Sequence, residues 1–220
     1  MALVARNLRR EISTQPGDSR VVFTNVSFSV APGQVLCVVG PSGGGKSTLL
    51  RCVAGLDELS AGNVALGELT PHALGLPAWR ASVCYVAQSR WAFPGSPADT
   101  WAEVTQLRAQ KAREHCHGDP VAVACSVGLD AALFSSQWAT LSGGQAQRAA
   151  LSIAVALRPE VLLLDEPTSA CDPASTALVE DALLRCGAAV VWVTHDAAQP
   201  QRLGATLLTL PALSREVTSV

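Results

Sequence analysis

The apolar run Val35-Leu36-Cys37-Val38-Val39 stops at Gly40-Pro41-Ser42-Gly43-Gly44-Gly45-Lys46-Ser47, and a helical pattern over residues 46–54 follows, closed by Gly55. This junction constrains the fold more than any other segment. A run with no polar alternation reads as a strand buried on both faces, the kind a parallel sheet contains. A glycine-rich turn from such a strand into a helix gathers backbone N–H groups at a helix N-terminus, where the dipole favours an anion. Lys46 is placed to neutralise β- and γ-phosphates, and Ser47 to offer its hydroxyl to Mg²⁺. Gly40, Pro41, Ser42, Gly43, Gly44, Gly45, Lys46, Ser47 and Thr48 are therefore the expected nucleotide-binding positions.

Similar buried runs recur at residues 161–164 and 188–193, with a helical stretch at about 173–185 between them. Strand, helix, strand in that order argues for a doubly wound α/β core. Two short extended segments, at 21–23 and 28–30, precede a Pro32-Gly33 turn. From 88 to 140 the texture changes to alanine-rich, helix-period sequence at 101–113, 121–127 and 131–134, read as a helical subdomain inserted into the core. A chain of 220 residues makes a single domain the default.

Composition narrows the function classes. Sixteen basic and eighteen acidic residues leave a net charge of -2 with no like-charge run, so no nucleic-acid partner is expected. The seven cysteines are scattered without a CxxC pair, which suits reduced, mostly buried thiols in a cytosolic protein. No stretch approaches the roughly 20 apolar residues of a membrane span, and the arginines at 6, 9 and 10 lack an apolar signal core. A soluble chain is expected, with any membrane part supplied by another polypeptide. His115-Cys116-His117 lacks the spacing of a closed zinc site and reads as a solvated loop.

Two further segments carry chemistry. Val161-Leu162-Leu163-Leu164-Asp165-Glu166 places Asp165 at the carboxyl end of a buried strand, where it can hold Mg²⁺, with Glu166 beside it to orient or deprotonate a water. Leu141-Ser142-Gly143-Gly144-Gln145-Ala146-Gln147-Arg148 opens a helix with a serine and two glycines, a second anion-facing N-terminus or an ordinary serine N-cap. The phosphate loop, acidic strand end and this signature together resemble the ATP-binding cassette family, and the resemblance covers nearly the whole chain.

That resemblance implies an α/β P-loop core with a mixed or parallel sheet and an N-terminal antiparallel β-subdomain (1–87 and 141–220), with the helical insertion at 88–140. It implies ATP and Mg²⁺ as cofactors, a second cassette copy as partner, and an integral membrane permease that holds the chain at the cytoplasmic face of the cell membrane. Ser142, Gly143, Gly144 and Gln145 are then the positions that grip the γ-phosphate held by the opposite copy. Gln88, following Ser82-Val83-Cys84-Tyr85-Val86-Ala87, matches the glutamine at the Mg²⁺ and water site. His195, in Trp192-Val193-Thr194-His195-Asp196, matches the switch histidine near the γ-phosphate, and Ser169-Ala170-Cys171-Asp172 the loop that touches the other copy.

The sequence departs from the pattern at the base. The aromatic residue that such cassettes stack on adenine falls near Ile12, with residues 13–20 read as a turn insertion and Phe23 as a substitute. After Gln88, Phe93-x-Gly95-Ser96-x-x-Asp99 resembles export-type cassettes, with Trp91 and Trp101 lining a permease groove or filling the helical lobe. The expectation is export of a metal ion, iron among the candidates, or of another small solute. Uptake, a non-transport cassette ATPase, a catalytically silent subunit and a small-molecule kinase are the alternatives. The intact Lys46, Gln88, Asp165, Glu166 and His195 disfavour the silent subunit, and the unbroken signature disfavours the kinase.

Overall fold

The computed structural model describes residues 1–15, 18–88 and 94–211, the side chains of 14, 15 and 18 excepted. Strands β1 (Leu3–Gln15) and β2 (Asp18–Val30) form a long antiparallel hairpin, and β4 (Ala61–Leu66) pairs with the outer side of β1. Strands β3 (Val35–Val39), β5 (Val83–Val86), β6 (Val161–Asp165), β7 (Ala189–Val193) and β8 (Thr206–Thr209) make a second, parallel sheet in the order β5-β6-β7-β3-β8. Every residue of β6 and β7 is buried, as the unbroken apolar runs require.

The hairpin corrects the reading of the N-terminal region. In place of two short segments and a turn insertion, β1 and β2 run on to residues 15 and 18, and Ile12 pairs with Arg20. Positive φ at Asn7 (51°) and Asn25 (59°), with register shifts beside both, marks irregularities in the ladder.

The helices are α1 (Lys46–Val53), α2 (Pro71–Leu74), α3 (Leu76–Ser82), α4 (Pro97–Gln106), α5 (Arg108–Lys111), α6 (Pro120–Ser126), α7 (Gly143–Ala156), α8 (Pro173–Arg185) and α9 (Gln199–Arg202). One core joins α1 to the antiparallel sheet and one face of the parallel sheet, through Leu49, Leu50, Val53, Leu36, Val38, Leu163 and Val191. The opposite face, including Cys37, Leu162, Leu164, Val190 and Trp192, packs against Leu151 and Ala154 of α7 and Val179 and Leu183 of α8.

The stretch after Gly95 is helical, and its apolar core (Ala124, Leu129, Phe134, Trp138) closes on Ala146, Ala149, Ala150 and Ile153 of α7. Helix α7 thus serves both cores. Helix α4 begins at Pro97, before the expected residue 101, because Ser96 and Asp99 form a reciprocal capping box. Trp101 packs against the helical-lobe core. Its ring meets His117 edge-on, centroids 5.6 Å apart. His117 is thereby half-buried and bonded to Gln110 (3.2 Å), so the solvated-loop reading holds for His115 but not for His117. Of the free cysteines, only Cys37 and Cys52 are fully buried, and Cys125 is exposed.

Candidate functional site

Four loops leave the carboxyl ends of parallel strands and meet in one cavity. Gly40–Ser47 follows β3, Gln88 lies just past β5, Glu166 follows β6 and His195 lies just past β7. Ligands bind at such strand ends where the chain order changes direction. The cavity, of about 630 Å³, is lined by Ser42 to Thr48, Gln88, Glu166 and His195, with Ile12, Arg20 and Val22 from the hairpin.

The phosphate loop is built for an anion. Gly45 is the N-cap of α1 at φ 84°, with no side-chain cap, so the N–H groups of the first turn stay available. A Cβ at Gly45 would meet Val22 Cγ1 at 2.8 Å, so the hairpin packs directly on the loop. Lys46, 6% exposed, donates from Nζ to the carbonyls of Gly40 and Pro41, both at 2.9 Å, which holds the ammonium over the loop.

Glu166 is the hub of the opposite wall. Gln88 Nε2 donates to its Oε2 (2.7 Å), and His195 Nε2 lies 2.7 Å from its Oε1. Its backbone has φ 50°, uncommon for a non-glycine residue, and its N–H donates to Val193 O (3.1 Å). Such strained positions concentrate at functional sites. Of the three residues expected to act on water, Gln88 and His195 therefore both contact Glu166.

Asp165 is buried, and Tyr85 Oη donates to its Oδ2 at 3.1 Å. Burial, reinforced by the Asp165 carboxylate, raises the Tyr85 phenol well above its usual range, so it remains a protonated donor. No group of three or more His, Cys, Asp or Glu among the described residues could cage a metal. Mg²⁺ needs only one or two carboxylates beside phosphates and waters; Asp165 would supply the carboxylate, with Ser47 and Gln88 as further oxygen donors.

Ser142, Gly143, Gly144 and Gln145 do not line this cavity. Ser142 caps α7 in a reciprocal box: its Oγ accepts from Gln145 N–H (3.3 Å), and Gln145 Oε1 accepts from Ser142 N–H (2.8 Å). The ordinary N-cap chemistry is present, on a helix end whose Ser142 and Gly143 are exposed.

The base end settles two points. Ile12 lines the cavity on its rim, 37% exposed. Phe23 is buried in the core and is no substitute for a stacking ring. Residues 89–93, including Trp91 and Phe93, lie outside the described residues. Sequence reasoning missed Tyr85, Arg20 and Val22. An aromatic residue three positions before Gln88, on the strand that leads to it, was the one available signal for Tyr85.

A family model described as ABC transporter matches residues 23–169. The chain is 40% identical over 190 residues to the Fe(3+) ions import ATP-binding protein FbpC 2 of Rhodococcus jostii (strain RHA1), across 83% of this chain and 52% of that protein. It is 36% identical to the phosphate import ATP-binding protein PstB 1 of Vibrio cholerae serotype O1, across 82% of this chain and 71% of that one. It spans about half the length of the first of these, and 53% of protein STAR1 of Oryza sativa subsp. japonica, which is 39% identical. Its fold matches the dimeric post-hydrolysis structure of the cassette MJ0796 bound to ADP and Pi, with TM-score 0.79 over 96% of this chain and 97% of that one, at 23% identity. The iron and phosphate relatives are both import proteins, so the expected export direction finds no support, and the segment it rested on lies partly outside the described residues.

Proposed function

The chain belongs to the ABC transporter family, as an ATP-binding ATPase cassette, and from that premise we propose that two copies close head to tail around two ATP molecules and drive solute uptake through a separate membrane permease. The observation that carries this reading is a division of labour within one copy. The phosphate loop, Glu166, Gln88 and His195 share a cavity, while the second anion-facing helix end, at Ser142–Gln145, lies outside it with Ser142 and Gly143 exposed. One copy offers half of two sites.

Each ATP is held by Lys46, Ser47 and the loop N–H groups of one copy and by Ser142, Gly143, Gly144 and Gln145 of the other. Closure removes water, which strengthens every charge interaction inside. Glu166 orients the attacking water and receives its proton, with its carboxylate fixed between Gln88 and His195. His195 contacts the γ-phosphate. Ser47, Gln88 and Asp165 would hold Mg²⁺, which would supply neutralisation of the phosphate charge. The α/β core at 1–87 and 141–220 binds nucleotide, and the helical lobe at 88–140 passes the motion to the permease at the cytoplasmic face of the membrane.

Uptake of a small inorganic solute is the preferred direction and cargo, supported by the iron and phosphate named for two relatives. The test is paired. Glu166→Gln accumulates an ATP-bound dimer and loses turnover, read by sedimentation and phosphate release; Lys46→Ala loses nucleotide binding. Full turnover in the first variant refutes the role of Glu166, and unchanged ATP affinity in the second refutes that of Lys46.

A further inference from the structure

Helix α7 is joined at three points to the segment that runs from Glu166 into the first turn of α8. The amide of Gln147, two residues past Gln145, spans the gap: Nε2 donates to Glu166 O (2.8 Å), and Oε1 accepts from Ala170 N–H (3.2 Å). One turn earlier the backbones touch, because a Cβ on Gly144 would meet Ala170 O at 2.5 Å. Next to Gln147, Arg148 Nη1 bonds Ser175 Oγ, and Ser175 donates to Asp172, the N-cap of α8. Both ends of the 166–175 segment are thus gripped by one helix.

Helix α7 is well built to carry motion. Eight of its residues are buried, six of them divided between the core under the parallel sheet and the core of the helical lobe, so it moves as a packed unit. Glu166 is well placed to feel that motion. Its carboxylate is held by Gln88 and His195, and its backbone sits at φ 50°, so a displacement of its carbonyl re-aims the side chain. Ser169 also donates to Glu166 O, from N–H (3.1 Å) and from Oγ (3.0 Å). The carbonyl therefore keeps partners inside its own loop without Gln147. What Gln147 adds is the tie to α7.

We propose that Gln147 is a positioning residue that makes the aim of Glu166 at one ATP depend on the seating of Ser142–Gln145 against the ATP held by the opposite phosphate loop. The inference rests on the head-to-tail reading and deepens it. Each nucleotide controls hydrolysis of the other through one side-chain amide. Seating α7 shifts the Gln147 amide, the amide shifts Glu166 O, and the carboxylate turns toward or away from the water.

Three measurements on the full chain test this. Gln147→Ala lowers kcat about tenfold, with KM for ATP and the thermal midpoint little changed, because a lost tie and not a lost fold is measured. Gln147→Glu keeps an acceptor for Ala170 N–H but faces Glu166 O with a charged acceptor, so it behaves like the alanine variant. If Gln147 only satisfied Ala170, Gln147→Glu would keep full turnover. The third measurement needs no hydrolysis. In Glu166→Gln protein, adding ATP protects segments 141–147 and 166–171 from hydrogen exchange together; adding Gln147→Ala leaves the first protected and the second unprotected. Joint protection in both proteins, or unchanged kcat in both Gln147 variants, overturns the inference. Failure of Glu166→Gln to pair at all with ATP refutes the head-to-tail reading instead.

Discussion

Replacing Ile12 by tyrosine should tighten ATP binding, and the structure sets the size of the effect. Ile12 sits on the rim of the nucleotide cavity, paired across the hairpin with Arg20 and sharing the wall with Val22. The nearest aromatic residue in the hairpin, Phe23, is 5% exposed and committed to the core. Among the described residues, the hairpin wall of the cavity therefore offers a base aliphatic side chains and a guanidinium but no aromatic ring. Stacking a base on an aromatic ring is worth about 1–3 kcal/mol, which corresponds to roughly 5- to 150-fold in affinity. Tyrosine suits an exposed strand position, so the hairpin itself should not suffer. Isothermal titration of Ile12→Tyr against ATP should show that gain, while the native chain should bind ATP and GTP within about tenfold of each other. A change under about twofold in the variant would mean that the base does not lie against residue 12.

Two other perturbations read other parts of the site and fold. Tyr85→Phe removes the donor to buried Asp165, so stability falls by about 1 kcal/mol in urea unfolding, and half-maximal turnover needs more Mg²⁺ while ATP binding is unchanged. Asp57 takes two hydrogen bonds from Arg51 (2.7 and 2.8 Å), chiefly these holding its carboxyl below the ordinary range. Because the folded value is depressed, this stabilisation is complete above the unfolded aspartate pKa of about 3.9 and is lost as pH falls through the folded value. Asp57→Asn should cost no more than about 1 kcal/mol at pH 7, the pair being partly exposed, with the gap to the native chain shrinking below about pH 4.

Much of the site was legible in the chain because its parts are local. The phosphate loop needs only a buried strand, glycines and a helix start in succession, and all three are contiguous. Asp165 and Glu166 could be placed because an unbroken apolar run ends directly at them. The helical texture after Gly95 was visible in its periodicity. The N-terminal hairpin was misread because register shifts in β1 break the alternation by which a strand is recognised.

The sequence alone determined that a parallel-sheet nucleotide site exists and which residues stand at its strand ends, since those features follow from short-range backbone geometry and burial. The tertiary structure alone decided what those residues touch. Tyr85 reaches Asp165 across 80 positions, Gln88 reaches Glu166 across 78, and Gln147 reaches Glu166 across 19. Ile12 reaches the cavity through strand pairing with Arg20, and Phe23 is withdrawn into the core. Side-chain contacts of this kind depend on how separate elements pack, and no periodicity within one element records that.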